Sequence, residues 1–338
     1  GFKLERSFSL LPAFAATVDA TALRALLANA EVMRIDLDTG GSGAMLEARP
    51  LAHVDTLNLA GLNGSGQRIA IVDSGIALAH PDFSGRIIDQ QCFCSGGGCC
   101  PNGSATQSGA GAALDDHGHG SNVSGIAAGA GAVALPGVAN AAQIIAVKVL
   151  DANNRFCCTS DVLAALDWVR VQHPEVKVIN ASLGTAQLLP GDCDAVSATT
   201  QAAASVVAAF AENDSLLFAS AGNQANANAM SIPACLSGVI GVGALWDQAA
   251  SSSTAFGCTD APVSAGLPTC FSNSSAGTDL YAPGAFITSS GRTGGLSSFA
   301  GSSQATPLAA GCAVLMRAAH PSATAVQIRA ALLDTPST

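Results

Sequence analysis

The sequence predicts an α/β protein built on a doubly wound, mainly parallel sheet with helices on both faces, and three observations support this. Short apolar runs rich in β-branched residues recur at 68–73, 143–150, 176–182, 215–221 and 238–244. These runs lack the polar alternation of half-exposed strands, so we expect them to be buried on both faces. Ala-rich helical patterns lie between them at 160–172, with Ser160 or Asp161 as its cap, and at 195–210. That alternation is typical of parallel strands joined by crossover helices.

Residues 1–44 are expected to form a small separate α+β piece with a linker, and residues 45–338 the main domain. Within the first piece we predict two strands in 3–18, a helix over 21–30 capped by Thr21, a strand over 31–38 and a glycine-rich linker over 38–44. The alternative is that this piece only adds edge strands to the main sheet.

Composition excludes several classes of function. The formal net charge is −10 and no basic stripe is present, which argues against a nucleic-acid backbone or an anionic membrane as partner. No apolar run reaches the length that spans a bilayer. Hydrophobic residues make up 49% of the chain and charged residues 11%, so a large buried core is expected.

The 11 cysteines are too many for a reducing compartment and predict a secreted or periplasmic protein. The spacing CFCSGGGCC does not match the C-x₂₋₄-C pairs of structural zinc sites, so disulfides are favoured. We expect Cys193 to pair with Cys235 and Cys258 with Cys270. The cysteines of the 92–100 cluster could pair among themselves or with Cys157 and Cys158, and Cys312 is predicted to be free.

Three segments place reactive side chains where the sheet would expose them. Asp73 ends an apolar strand, where a carboxylate is costly unless it has a partner. His117 and His119 precede a run of small residues whose glycines allow another element to approach closely. Ser302 and Ser303 precede a helical run near the end of the chain. Ligands gather at the carboxyl ends of parallel strands, so these groups could converge there.

In the order Asp, His, Ser, these segments resemble the motifs of subtilisin-like (subtilase) serine endopeptidases over roughly residues 50 to 338. AIVDSGIALAHPDF resembles the aspartate motif and implies Asp73, and HGSNVSG resembles the histidine motif and implies His119 rather than His117. GSSQATP resembles the serine motif, whose nucleophile lies four residues before the proline. The nucleophile is therefore expected to be Ser303, which leaves Ser302 a structural role.

The resemblance also implies an oxyanion donor and a substrate cleft. SAGN at 220–223 makes Asn223 the side-chain donor to the oxyanion. The residues expected to bind substrate are Ser182, Leu183 and Gly184 of INASLG, Asn154, Arg155 and Phe156 of DANNRF, and Ser220, Ala221 and Gly222 of SAGN. The pocket for the residue before the cleaved bond is expected to be lined by residues 183–184 and 219–221, with SIPA at 231–234 near its base. Because these pocket segments lack Asp and Glu, that substrate residue is expected to be apolar or medium-sized, with otherwise broad specificity.

No cofactor is expected for catalysis and no metal ligand is predicted at the site. Many members of the family bind calcium at the position of the 129–137 loop, but GAGAVALPG has no side-chain oxygen there. Asp82 would then be a carboxylate without its metal, with disulfides as the substitute cross-links. Structural calcium elsewhere stays open. Asn122 and Leu308 replace histidines common in the family, and both lie outside the triad.

The segment before residue 39 resembles the second half of the family's inhibitory prodomain. This implies a proform that processes itself in the linker, near 44–46, and whose tethered product could block its own cleft. The expected partners are protein or peptide substrates and the chain's own prodomain as an intramolecular inhibitor, with the protein a monomer.

Two alternatives were weighed against an active endopeptidase. The first is a catalytically silent homologue that captures peptides without cutting them. The second is an esterase or lipase of the α/β-hydrolase type, but such enzymes place Ser before Asp and His within G-x-S-x-G, which GSSQA does not match.

Overall fold

The computed structural model describes residues 1–7, 14–33, 35 and 45–334. The chain divides into two compact units, Gly1–Ser42 and Gly43–Thr338. In the first unit, strands β1 (Phe2–Ser7) and β2 (Phe14–Val18) pair antiparallel and helix α1 (Ala20–Leu27) follows.

The first unit differs from the sequence prediction at its helix cap. The Asp19 carboxylate accepts hydrogen bonds from the backbone N–H groups of Thr21 and Ala22, so the helix begins one residue earlier and the predicted Thr21 cap is wrong. Of the predicted strand over 31–38, residues 31–33 and 35 are not in a strand. The rest of that segment and the linker up to residue 44 lie outside the described residues.

The second unit holds the strands and helices that build the site. Its strands are β3 (Arg68–Asp73), β4 (Ile87–Phe93), β5 (Thr106–Ser108), β6 (Gln143–Lys148), β7 (Val178–Ala181), β8 (Leu188–Leu189), β9 (Leu216–Ser220), β10 (Met230–Ser231), β11 (Ile240–Leu245), β12 (Ser253–Ala255), β13 (Cys258–Asp260), β14 (Leu280–Pro283), β15 (Ile287–Ser290) and β16 (Leu296–Phe299). Its helices are α2 (Met45–Leu51), α3 (Val54–Leu59), α4 (His119–Ala128), α5 (Thr159–Gln172), α6 (Ala198–Glu212), α7 (Ser302–Ala319) and α8 (Ala325–Leu333), with a 3₁₀ turn at Pro81–Phe83.

Eight strands form one sheet in the order β14-β11-β9-β7-β3-β6-β4-β5. All neighbours are parallel except β5, which is antiparallel to β4. All five predicted strands are present in it as β3, β6, β7, β9 and β11, and the predicted α/β class is confirmed. The strand order departs from chain order on both sides of β3, so the carboxyl ends of β3, β6 and β7 meet at the centre of one edge.

Alternating side chains of β3 supply both halves of the core. Ile69 and Ile71 pack with residues of α4 and α7 on one face of the sheet. Ala70 and Val72 pack with residues of α5 and α6 on the other face. Burial on both faces explains why the strand sequence is a continuous apolar run.

Helix α5 has Cys158 as its N-cap, and the Cys158 side chain makes no capping hydrogen bond. The predicted cap at Ser160 or Asp161 is therefore wrong. The Asp161 carboxylate instead accepts hydrogen bonds from Ser95, on the loop that follows β4.

The cysteines pair as Cys92–Cys100, Cys94–Cys99, Cys157–Cys158, Cys193–Cys235 and Cys258–Cys270. Cys312 is free. The two expected pairs and the expected free thiol are confirmed, and the 92–100 cluster pairs internally. Within the described part of the chain, no helix is both long and apolar enough to cross a membrane.

Candidate active site

Asp73 lies at the carboxyl end of β3, fully buried, with His119 as its partner. Asp73 Oδ1 is 2.7 Å from His119 Nδ1 and also accepts the backbone N–H of Ser74 at 2.7 Å. Asp73 is acceptor-only, so Nδ1 carries the proton and Nε2 of the neutral ring presents its lone pair. The cationic or N–H partner that the strand-ending carboxylate requires is therefore His119.

The Asp73 carboxylate also sets the protonation of His119. Burial of the imidazole disfavours its charged form, but the adjacent carboxylate outweighs this effect, and the pKa of His119 is raised. His117, by contrast, makes no hydrogen bond to Asp73. Its pKa is lowered, first by burial and then by the neighbouring His119.

His119 is the first residue of α4, and buried polar groups hold that helix start in place. Asp115 Oδ1 accepts the N–H of Gly118 at 2.8 Å, and its Oδ2 accepts the N–H and hydroxyl of Ser121 at 2.9 and 2.6 Å. Ser74 Oγ donates to Asp115 Oδ1 and accepts the N–H of Gly120, both at 2.9 Å. A Cβ on Gly120 would lie 2.1 Å from Gly75 O, so the two segments meet closely only because residue 120 is glycine.

A buried lysine supports the same edge of the sheet. Lys148 ends β6 beside Asp73 in the strand register and is fully buried. Its Nζ donates to Asp116 Oδ1 at 2.7 Å, Ser74 O at 2.8 Å and Leu150 O at 2.7 Å. Sequence reasoning missed both Lys148 and Asp115. The available signal for the lysine was a single cation inside the apolar run QIIAVKVL.

Ser303 lies in the first turn of α7, after the N-cap Gly301, whose φ of 148° favours glycine. Its carbonyl accepts the Ser182 hydroxyl at 2.8 Å. Its own hydroxyl makes no hydrogen bond to another described residue, His119 included. The adjoining residues do bring α7 to α4, since the rings of Phe299 and His119 lie 5.8 Å apart and Gln304 Nε2 donates to Asn122 Oδ1 at 3.3 Å.

Asn223 is held by the residue that precedes Ser303. Its Oδ1 accepts the Ser302 N–H at 2.8 Å and the Ser302 hydroxyl at 3.0 Å. The Ser302 hydroxyl in turn accepts the N–H of Gly222 at 3.0 Å. Because both contacts take up the amide oxygen, Nδ2 is the end left to donate elsewhere. Ser302 therefore has a defined contact with the expected oxyanion donor that the sequence motif did not indicate.

A cleft of about 660 Å³ gathers most of the residues expected to bind substrate. The described residues that line it are Leu150, Asn154, Arg155, Phe156, Cys157, Thr159, Ser182, Leu183, Gly184, Thr185, Ala186, Ser220, Gly222, Asn223, Gln224, Ser231 and Ser303. Ala221 is fully buried and is not part of this lining. Asp73 and His119 also lie outside its lining. Arg155 is the charged residue in this set.

The loop over 129–137 presents donors, not ligands, to Asp82. Asp82 Oδ1 accepts the N–H groups of Ala132 and Val133 at 2.6 and 2.8 Å, and Oδ2 accepts Ala134 N–H at 3.1 Å and Ser290 Oγ at 2.7 Å. Burial would raise the pKa of Asp82, but these four hydrogen bonds outweigh it and lower the pKa. Calcium requires oxygen ligands, so this ring of donors does not fit the cation.

Comparison with known proteins identifies related sequences and structures. The model of the subtilase family matches residues 64–337. The extracellular serine proteinase of Thermus sp. (strain Rt41A) is 32% identical over 272 residues, which cover 80% of this chain and 55% of that protein. Subtilisin BL of Lederbergia lenta is 32% identical over 276 residues, which cover 81% of this chain and 85% of that protein.

A solved structure supports the same assignment. A cold adapted subtilisin-like serine proteinase superposes with a TM-score of 0.59 at 26% identity, over 79% of this chain and 81% of its own. The similarity thus extends over most of the second unit, in which the Asp73–His119 pair, Asn223 and Ser303 lie. The chain belongs to the subtilase family of serine endopeptidases.

Proposed function

We propose that this protein is an exported serine endopeptidase that cleaves peptide bonds through an acyl-enzyme formed on Ser303. The observation that carries the proposal is the buried 2.7 Å contact between Asp73 and His119, which fixes the tautomer of a general base. A cleft lined by Ser303 and Asn223 provides room for a peptide. Export is supported by five disulfides and by the extracellular relative from Thermus.

In the acylation step, His119 Nε2 removes the proton from the Ser303 hydroxyl as Oγ attacks the carbonyl carbon of the substrate. Asp73 stabilises the imidazolium that results, which is the same interaction that raises the pKa of His119. The Ser303 hydroxyl has no hydrogen-bond partner among the residues that the structure describes. Catalytic hydrogen bonds are commonly long before substrate binds and shorten in the Michaelis complex.

The tetrahedral intermediate needs donors for its oxyanion. Asn223 Nδ2 is free to donate because its Oδ1 is held by Ser302. The Ser303 backbone N–H lies in the first turn of α7, where helix N–H groups have no intrahelical acceptor. Together they form the two-donor arrangement that stabilises developing negative charge.

Collapse of the intermediate breaks the C–N bond, and His119 gives its proton to the leaving amine. A water molecule then attacks the acyl carbon while His119 takes one of its protons. Breakdown of the second intermediate releases a carboxylic acid and returns the proton to Ser303 Oγ. The steps above use the side chains of Asp73, His119, Asn223 and Ser303 and the backbone N–H of Ser303. Since none of these steps involves a further group, we propose that catalysis proceeds without a cofactor.

The cleft also supports a specificity. Arg155 is the charged group in its lining, and no carboxylate is present among the described residues there. A substrate Arg or Lys before the cleaved bond would lack a charge partner, whereas an apolar or medium-sized residue would not need one. We propose a preference for the latter, with backbone pairing that tolerates varied neighbours.

We further propose that the unit Gly1–Ser42 belongs to an inhibitory prodomain that the enzyme removes itself. Its strand pair and helix form a compact body of their own, as a detachable segment would require. N-terminal sequencing of the purified protein tests this proposal. A start between residues 39 and 50 is expected, and a start far from that window would contradict self-processing.

The activity is tested by casein hydrolysis with wild type and Ser303→Ala, each checked for folding by circular dichroism. We expect hydrolysis by wild type alone, and covalent labelling of Ser303 by a fluorophosphonate located by peptide mass spectrometry. An active Ser303→Ala protein would overturn the assignment of the nucleophile. A folded wild type that binds peptides but neither cuts casein nor reacts with the probe would identify a silent homologue.

A further inference from the structure

One disulfide lies in the wall of the cleft and joins sequence neighbours. Cys157 and Cys158 are bonded to each other. They occupy the junction between Phe156 and α5, and Cys158 is the N-cap of that helix. Cys157 is exposed and lines the same cleft as Phe156 and Ser303. This bond is therefore positioned to contact a bound peptide.

Because the Cys157–Cys158 bond joins neighbouring residues, it restrains the local backbone and contributes little to the stability of the whole fold. A disulfide stabilises a fold largely by closing a loop of the unfolded chain, and the benefit grows with the length of that loop. Cys193–Cys235 spans 42 positions, but Cys157–Cys158 spans one. A bond between neighbours closes no loop, so what it restricts is the backbone of residues 157 and 158.

A second disulfide-bonded segment packs directly on this bond. The loop closed by Cys94–Cys99 donates the Ser95 N–H and hydroxyl to Asp161 Oδ2, in the first turn of α5, at 2.9 and 3.0 Å. At Gly96, a Cβ would lie 2.4 Å from Cys157 Cβ and 2.6 Å from its Sγ. Only glycine permits this contact, and the loop supports the Cys157–Cys158 bond from outside the cleft.

The other end of the cleft segment is fixed by a turn. Asp151 Oδ1 accepts the N–H groups of Asn153 and Arg155, both at 2.9 Å, and the Arg155 carbonyl accepts Asp151 N–H at 2.8 Å. Asn154 adopts a φ of 59° within this turn, a conformation that asparagine tolerates. The strip from Asn154 to Phe156 is thus anchored by a turn on one side and by the disulfide on the other.

We propose that the Cys157–Cys158 disulfide is a specificity-determining element that holds the strip 154–156 rigid for peptides long enough to extend along the cleft beyond Ser303. The inference rests on the proposed endopeptidase activity. A short substrate that reaches only the triad does not need this strip, but an extended peptide does. Remote contacts of this kind raise turnover by positioning the reacting group.

Chemical reduction of the Cys157–Cys158 bond removes the same restraint as substitution of the two cysteines would. An external thiolate attacks one sulfur, breaking the Cys157–Cys158 bond and forming a mixed disulfide with the reductant. A second external thiol displaces the protein sulfur. The products are two protein thiols and one disulfide of the reductant, so two electrons pass from the external thiols to the protein.

The test compares kcat/KM for a tetrapeptide p-nitroanilide with that for a p-nitrophenyl ester of a single acylated amino acid. We expect the ratio of these two values to fall by about fivefold or more in C157S/C158S. The matched control is C258S/C270S, which removes a bond outside the cleft lining and is expected to keep the ratio within about twofold. The control should lose more thermal stability, because its disulfide closes a longer loop.

An unchanged ratio in folded C157S/C158S would overturn the proposal. Wild type that hydrolyses neither substrate would instead contradict the endopeptidase activity itself, so the two failures are distinguishable. If C157S/C158S does not fold, wild type treated with a mild thiol carries the test, with alkylation of Cys157 and Cys158 followed by mass spectrometry. We expect the ratio to fall as both become alkylated and to recover on reoxidation without alkylation, and full alkylation with a constant ratio would contradict the proposal.

Discussion

Ser302 donates its backbone N–H and its hydroxyl to Asn223 Oδ1, at 2.8 and 3.0 Å, so two groups of one residue orient a single amide. The residue beside the proposed nucleophile thus points Asn223 Nδ2 away from itself. An oxyanion donor depends on orientation for its effect, because its hydrogen bond strengthens only where charge develops.

We expect Ser302→Ala to lower kcat by about fivefold to tenfold, with KM little changed. This factor corresponds to the free energy of about one hydrogen bond. The loss should fall on kcat because the Asn223 contact matters most in the transition state. Steady-state kinetics on a peptide anilide give this split, with Ser302→Thr as the variant that keeps a hydroxyl. A rise in KM at constant kcat would assign Ser302 to substrate binding instead.

The pH dependence of kcat/KM should report His119. The base must be neutral to accept a proton, and Asp73 raises the pKa of His119. Activity should therefore rise with pH through a midpoint above the ordinary imidazole value of about 6.5. In His117→Gln the acid limb should remain at the same pH, because burial lowers the pKa of His117. Loss of that limb in His117→Gln would mean that His119 is not the titrating group.

Because the carboxyl group of Asp247 is buried, we expect the protein to lose stability as the pH rises. It is 6% exposed, both carboxylate oxygens lack hydrogen-bond partners among the described residues, and burial raises its pKa to about 7. Because the folded pKa lies above the unfolded one, stability falls as pH rises from about 4 through about 7. The expected loss is at most about 4 kcal/mol.

Asp247→Asn should remove this component, since the amide carries no charge at any of these pH values. Urea unfolding at pH 5 and pH 8 measures it, with exposed Asp167→Asn as the control. The free energy of unfolding of Asp247→Asn minus that of wild type should be larger at pH 8 than at pH 5. An equal difference at both pH values would show that Asp247 does not titrate in this range.

We expect the Asp82 carboxylate to contribute strongly to the free energy of unfolding through its hydrogen bonds, with no cation bound to it. Its carboxylate accepts four hydrogen bonds in a buried site. Asp82→Ala would leave those donors without an acceptor, and we expect a cost of about 3 kcal/mol or more. Thermal or urea unfolding measures this cost, and Asp167→Asn should stay within about 0.5 kcal/mol of wild type.

The metal prediction uses the same residue. EDTA should shift the Tm of wild type and of Asp82→Asn by the same amount, because the oxygens of Asp82 are already occupied. An EDTA-induced fall of several degrees in wild type that disappears in Asp82→Asn would place a calcium ion at this carboxylate.

Sequence reasoning succeeded where one requirement dominates. The strand over 68–73 had to be buried on both faces because it is a continuous apolar run, and its ends match β3. Asp73 at its end needed a partner, and the structure places His119 there. Exposing an apolar strand to water, or burying a carboxylate without a partner, costs a large free energy. That cost is enough to decide the outcome from the residues alone.

It failed where several local solutions have similar energies. Adjacent cysteines allow several pairings, so the Cys157–Cys158 bond could not be chosen from spacing. The caps of α1 and α5 were misplaced because Asp19 outcompetes Thr21, and because Asp161 binds the distant Ser95. Three of the four donors to Asp82 are backbone N–H groups of the 129–137 loop, which leave no trace in the residue types of GAGAVALPG.

Helix α7 joins the proposed nucleophile to the centre of the molecule. Ser303 lies in the first turn of an 18-residue helix that packs against α4, β7, β9, β11 and β14, so the position of the proposed nucleophile depends on the packing of much of the hydrophobic core. A partly folded chain would not hold Ser303 in place, so we expect the proposed hydrolytic activity to require the cooperatively packed core. On heating, hydrolysis and the near-ultraviolet signal of tertiary structure should vanish in a single step.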